Sequence, residues 1–100
     1  ELILAKQLRN SFLATKVTFF NQVNDLCEQL DLDYEQVRRA VTDDLRIGHS
    51  HSEISEQGGF GGHCFPKDTE ALVYSGLYYG CNQTLVQEAI RYNKKRTKRD

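Results

Sequence analysis

The sequence predicts an all-α domain, and three features carry that prediction. From Leu2 to Leu30 there is neither glycine nor proline, and apolar residues recur there at steps of three, four and seven, the spacing of a helical face. The only proline, Pro66, and five of the seven glycines (Gly48, Gly58, Gly59, Gly61 and Gly62) fall in one central stretch, which concentrates the chain breaks there. No segment keeps the strict alternation of a half-buried strand.

The first element is a long helix over residues 2–30. Ala5, Leu8, Phe12, Phe19, Val23, Leu26 and Leu30 form one stripe along it, and Leu13, Val17, Phe20 and Cys27 form a second beside it. Together the stripes are wider than a surface helix needs. The helix is therefore expected to serve both its own domain and another subunit or domain. Lys16 falls inside this arc, with its stem laid along the surface or its charge paired.

Asp33 followed by Gln36 marks the start of a short second helix ending near Asp43, with Val37 and Val41 as its apolar face. A loop from Leu45 to Phe65 follows. Pro66 suits the first turn of a third helix, where its missing N–H costs nothing. Ala71, Leu72, Tyr74 and Leu77 continue that helix, and Gly80 ends it. Asn82 is the expected cap of a fourth helix carrying Leu85, Val86, Ala89, Ile90 and Asn93. That helix leads into the basic run Lys94 to Arg99, read as a helix end complementing its dipole and entering a further domain.

One hundred residues with a net charge of −1 and 39% hydrophobic content make one domain with one core, too small for a nucleotide-binding domain and a substrate domain together. The chain opens Glu-Leu-Ile-Leu and has no methionine, so a piece of a longer protein is expected. No apolar run approaches the roughly 20 residues of a membrane span, and no secretory leader is apparent. Near-neutral charge argues against nucleic acid as a partner. Three widely spaced cysteines suit a reducing compartment, and a cytoplasmic protein without a membrane partner is expected. Cys27 and Cys81, among apolar neighbours, are expected to be buried as small hydrophobes.

The chemistry concentrates in Gly58-Gly59-Phe60-Gly61-Gly62-His63-Cys64-Phe65-Pro66-Lys67-Asp68. Four glycines in five positions free the backbone for positive φ and for close approach to a ligand. Cys64 lies next to a helix start and near Lys67, and both favour the thiolate needed for nucleophilic attack; the alternative is a buried apolar cysteine. Asp68 can orient a water or exchange protons, or can complement the helix dipole. Lys6 and Asn10, spaced i and i+4, share a helix face. An ammonium beside an amide can hold an oxyanion; the alternative is a solvated polar flank. His49, His51, His63 and Cys64 offer metal-binding side chains, but their spacing fits no usual zinc pattern and His63 and Cys64 are adjacent, so no metal site is expected.

These motifs resemble the UDP-glucose/GDP-mannose dehydrogenase family. Gly59 to Asp68 resembles its active-site cysteine motif, Gly-aromatic-Gly-Gly-x-Cys-x-x-Lys-Asp. Lys6 to Ala14 resembles its Lys-x-x-x-Asn-x-Phe helix, continued by Asn21 and Cys27, and Arg46-Ile47-Gly48 resembles the Arg-Ile-Gly before the glycine loop. The resemblance implies a helical dimerisation domain spanning residues 1–100, whose flanking NAD-binding Rossmann domain and C-terminal nucleotide-binding domain lie outside this chain. It implies oxidation of a nucleotide sugar, UDP-glucose first, to the uronate by two hydride transfers to NAD. Cys64 would form a thiohemiacetal and then a thioester. Lys6 and Asn10 would stabilise oxyanions, and Asp68 would assist proton transfer. Phe60, Gly61 and Gly62 would line the sugar nucleotide, Lys67 would meet the cofactor, and Arg46 would reach the nucleotide sugar of a homodimeric partner packed on the long first helix. Residues 49–58 depart from the asparagine- and proline-rich version of some members, which keeps GDP-mannose or a UDP-N-acetylhexosamine open as substrates. A non-catalytic helical structural or metal-binding module is the alternative from another class, and it predicts an unreactive Cys64 or a metal held by His49, His51 and His63.

Overall fold

The computed structural model describes residues 1–97. Four helices follow in order, α1 Leu2–Leu30, α2 Tyr34–Thr42, α3 Cys64–Tyr78 and α4 Thr84–Thr97, with no strand among the described residues. The all-α prediction holds. At 1.5 Å per residue, α1 spans about 43 Å and sets the longest dimension of the 43 × 32 × 23 Å molecule. None of these helices is long and apolar enough to cross a membrane.

Helix α1 is the spine against which α2, α3 and α4 all pack. Its inward side combines the second predicted stripe, with Phe20 and Cys27 buried and Leu13 and Val17 half-buried, with a row of small residues, Ser11, Ala14, Thr18 and Asn21. Small side chains let neighbouring helices approach closely. The Thr18 hydroxyl satisfies itself by donating to the Ala14 carbonyl at 2.9 Å, so it needs no partner across the interface. The first predicted stripe points outward. Phe12 is 69% exposed and Phe19 58%, and Leu8, Leu26 and Leu30 are exposed too. Lys16 neither lies idle nor pairs with a carboxylate: its ammonium donates to the Ile47 and Gly48 carbonyls at 2.8 and 3.2 Å and ties the Arg-Ile-Gly turn to α1.

Helix α1 ends in a Schellman turn. Asp31 takes the left-handed conformation at φ 57°, with the Leu32 N–H bonded to the Cys27 carbonyl at 2.9 Å; a short polar side chain tolerates this position better than most. Asp33 caps α2 by accepting from the Glu35 N–H at 3.0 Å. The buried face of α2 differs from expectation. Val41 is exposed and Val37 only half-buried, whereas Arg38 and Thr42 are buried. Arg38 is held by Glu35 and donates to Ser52 Oγ at 3.0 Å, and the Tyr34 hydroxyl donates to the Ser52 carbonyl at 2.5 Å. The face of α2 that meets the protein meets a loop backbone, which rewards donors over methyl groups.

Helix α3 begins at Cys64, two residues before Pro66, which still falls in the first turn. Leu72 is buried, but Tyr74 and Leu77 are exposed, so only part of the predicted apolar face is internal. The helix closes in a second Schellman turn, with Gly80 at φ 74° and the Cys81 N–H bonded to the Gly76 carbonyl at 2.8 Å. That bond fixes the turn with the Cys81 thiol outside: Cys81 is exposed, against expectation, while Cys27 is buried as expected. Helix α4 starts at Thr84. The Gln83 carbonyl accepts its first bond, from the Gln87 N–H at 2.9 Å, so Asn82 stands one residue too early to be the cap. Lys94, Lys95 and Arg96 occupy the last turn, where cations oppose the helix dipole; Lys98 and Arg99 of the basic run lie outside the described residues.

Candidate active site

The glycine-rich loop ends at the N-terminus of α3. Gly62 has φ +80°, a conformation other residues rarely adopt, and it turns the chain into His63 and the helix. Cys64 is the first helical residue and is exposed, and His63 makes no side-chain cap bond. The amides of His63, Cys64 and Phe65 therefore belong to a helix start with orphan donors, a favourable place for negative charge.

One hydrogen bond joins this end of α3 to α1. Asn10 Nδ2 donates to Asp68 Oδ2 at 2.7 Å, bridging residues 58 apart in sequence. Asp68 is 5% exposed, so its carboxylate requires such a donor. The bond also orients the amide: one N–H is committed to Asp68, and the second remains for another acceptor. Lys6 lies one turn before Asn10 on the same face, and Cys64 one turn before Asp68. Both are exposed, as is Lys67. The structure thus brings Asn10 and Asp68 into contact and sets Lys6 and Cys64 one helical turn from that contact on their respective helices.

The predicted ligand-lining residues divide. Gly61 is half-buried and Gly62 exposed at the loop surface, but Phe60 is buried, with its ring edge-on to Phe65 at 6.3 Å between centroids. Arg46 is exposed on the turn after α2, paired with Asp44 through Nη2 and Oδ2 at 2.6 Å. This pairing holds the Asp44 carboxyl below its ordinary range. Arg46 shares a cleft with Phe12 and Phe19 of the outer face of α1, Val41 of α2 and Ile47 of its own turn, and with no residue of the cysteine loop.

The histidines go separate ways. His49 Nδ1 lies 2.7 Å from Thr42 Oγ1. His51 stacks on Phe65 at 5.9 Å, and His63 is exposed beside Cys64. Among the described residues no three His, Cys, Asp or Glu side chains group as metal ligands.

Sequence reasoning missed the support behind the loop. Asn93 on α4 bonds Phe60 in both directions, accepting from its N–H at 2.7 Å and donating to its carbonyl at 2.9 Å. Arg96 donates to the Gly58 carbonyl and grips Asp25 of α1, with Nη2 to Oδ1 at 2.9 Å, and the Tyr92 hydroxyl also donates to Asp25. Burial would raise the Asp25 carboxyl, but the bonds from Arg96 and Tyr92 outweigh it and hold it below its ordinary range. The signal that was available is Asn93 itself, a polar residue four positions after Ala89 on the inward face of α4.

The sequence profile of the UDP-glucose/GDP-mannose dehydrogenase family, central domain, matches residues 3–95. The chain is 40% identical over 94 residues to a UDP-glucose 6-dehydrogenase of Rhizobium meliloti (strain 1021), covering 93% of this chain and 21% of that protein. It is 45% identical over 91 residues to the UDP-glucose 6-dehydrogenase YwqF of Bacillus subtilis (strain 168), covering 90% and 20%, and 40% identical over 87 residues to that of Pseudomonas aeruginosa, covering 87% and 19%. The chain spans about a fifth of the length of these relatives. With four helices and no strand among its described residues, and with a profile match over residues 3–95, the chain belongs to the UDP-glucose/GDP-mannose dehydrogenase family as its central domain.

Proposed function

We propose that this chain is the catalytic and dimerisation domain of an NAD-dependent nucleotide-sugar 6-dehydrogenase that converts UDP-glucose to UDP-glucuronate. The observation that carries this reading is the Asn10 to Asp68 bond, which couples the helix bearing Lys6 to the first turns of the helix bearing Cys64. The all-helical chain offers no doubly wound sheet for a dinucleotide among its described residues. NAD, the hydride acceptor, is therefore assigned to a domain beyond this chain, with Lys67 facing it.

The residues of this chain then have separate tasks. The Cys64 thiolate adds to the carbonyl carbon of the C6 aldehyde that the first hydride transfer would leave, the thiohemiacetal would become a thioester on giving up the second hydride to NAD, and the thiolate is expelled when water adds to that thioester. Lys6 and the free N–H of Asn10 hold the oxyanion formed in each addition. Asp68 takes a proton from the attacking water. The loop around Gly61 and Gly62 lines the sugar nucleotide. The exposed stripe of α1 is the face for a second copy, and Arg46, on the same side, reaches the partner's nucleotide sugar.

The test uses the intact protein with NAD and, in separate arms, UDP-glucose, GDP-mannose and a UDP-N-acetylhexosamine. UDP-glucose is expected to be turned over fastest, and Cys64→Ser to lower kcat by on the order of 10³-fold or more, as removal of a nucleophile does. Uronate formation by Cys64→Ser at the wild-type rate refutes the mechanism, and preference for another arm reassigns the substrate.

A further inference from the structure

We propose that Asn93 is a positioning residue, which sets the main-chain course of the glycine-rich loop and so the placement of Cys64. The proposal rests on the reading of Cys64 as the nucleophile. Between Phe60 and Cys64 stand only Gly61, Gly62 and His63. A segment this rich in glycine samples many conformations unless something outside it holds it.

Asn93 is built as that hold. Its side chain presents an acceptor and a donor to one residue, Phe60, as a neighbouring strand would. It is 6% exposed and, with Ala89, one of the two buried residues of α4. A buried amide is costly there unless both ends are bonded, and here both bonds go to the loop. The contact is close: a Cβ on Gly59 would lie 2.2 Å from Asn93 Oδ1.

The flanking residues are held as well. Arg96, anchored by Asp25, bonds the Gly58 carbonyl. Ser55 Oγ donates to the Gly59 carbonyl at 2.8 Å and accepts from the Gly59 N–H at 3.3 Å. Three successive peptide units, at positions 58, 59 and 60, are thus fixed before the chain enters the cysteine helix. Asn93 touches none of Lys6, Asn10, Cys64 or Asp68 in the observed bonds, so its effect on chemistry must pass through the loop.

The experiment compares wild type, Asn93→Ala and Asn93→Asp in the intact protein by steady-state kinetics and by amide hydrogen exchange. The aspartate keeps the acceptor for the Phe60 N–H but sets an oxygen against the Phe60 carbonyl. For Asn93→Ala we expect a fall in kcat of about 10²-fold, the effect of misplacing a reacting group by about 1 Å, with KM for the nucleotide sugar near wild type. The Phe60 amide is expected to lose protection while amides in the middle of α1, such as that of Phe20, keep theirs. Asn93→Asp should fall between wild type and alanine in both readouts, and it carries the test if the alanine variant does not fold. Wild-type kcat with a deprotected Phe60 amide overturns the proposal, as does an unchanged Phe60 amide. Cys64→Ser in parallel separates the two claims: if it turns over normally the nucleophile reading falls, while the Phe60 exchange result still decides whether Asn93 sets the loop.

Discussion

Replacing Gly59 with alanine tests the packing behind the glycine-rich loop. A Cβ at this position would stand 2.2 Å from Asn93 Oδ1 and 2.7 Å from Thr97 Cγ2, so Asn93 must move, and its two bonds to Phe60 go with it. Each bond contributes about 1 kcal/mol net, and a buried group left without a partner costs about 1–3 kcal/mol. The expected loss is about 3 kcal/mol. Gly62→Ala is the control. It lies in the same loop and, unlike Gly59, at positive φ, but nothing stands within 4 Å of its Cβ. Its cost is the left-handed conformation alone, roughly 1–2 kcal/mol, partly offset by a less flexible unfolded chain. Equilibrium urea unfolding followed by far-ultraviolet circular dichroism reads both. Gly59→Ala should exceed Gly62→Ala by about 2 kcal/mol, a large share of the 5–15 kcal/mol that holds an ordinary domain together. Equal midpoints for the two variants would refute the argument that α4 meets the loop backbone at Gly59.

Two other perturbations follow from the same structure. Burial against the Ser52 turn pushes the Tyr34 phenol up to about 12 from its ordinary 10.0. The folded state thus favours the neutral phenol, so this contribution is complete below pH 10 and lost as the pH rises towards 12; Tyr34→Phe should remove that alkaline loss, seen by phenolate absorbance and stability measured across the range. If the outward stripe of α1 seats a second copy, Phe12→Glu with Phe19→Glu should convert a dimer to a monomer by light scattering with helix content unchanged, since both rings are exposed within the chain and a charge is costly only where a partner covers it. A wild-type protein that is already monomeric would remove the dimer from the proposal.

The helices were legible because their signals are local. The absence of breakers from Leu2 to Leu30, the Asp33 cap and the glycine at position 80 each act within a few residues, and each appears where expected to within two positions. Burial was less legible. Amphipathic spacing identifies an apolar face but not what covers it, which is why Phe12 and Phe19 are exposed while Ser11, Ala14 and Thr18 pack inside. Val41, expected inside, is exposed while Arg38 is buried for a similar reason: α2 meets a loop, whose carbonyls and hydroxyls call for a donor. Cys81 was misread because apolar neighbours in sequence say nothing about which side of a turn a thiol takes.

By itself, then, the sequence determined the all-α class and the helix limits and singled out the candidate active-site segment, since periodicity, capping and the glycine-cysteine motif are written in residues close together along the chain. Only the tertiary structure decided that Asn10 meets Asp68 across 58 residues, that Lys16 fastens the Gly48 turn, and that Asn93 and Arg96 hold the loop from behind. Those contacts depend on how helices distant in sequence pack along α1, and a side chain's hydrogen-bonding capacity names the kind of partner it needs but not where in the chain that partner lies.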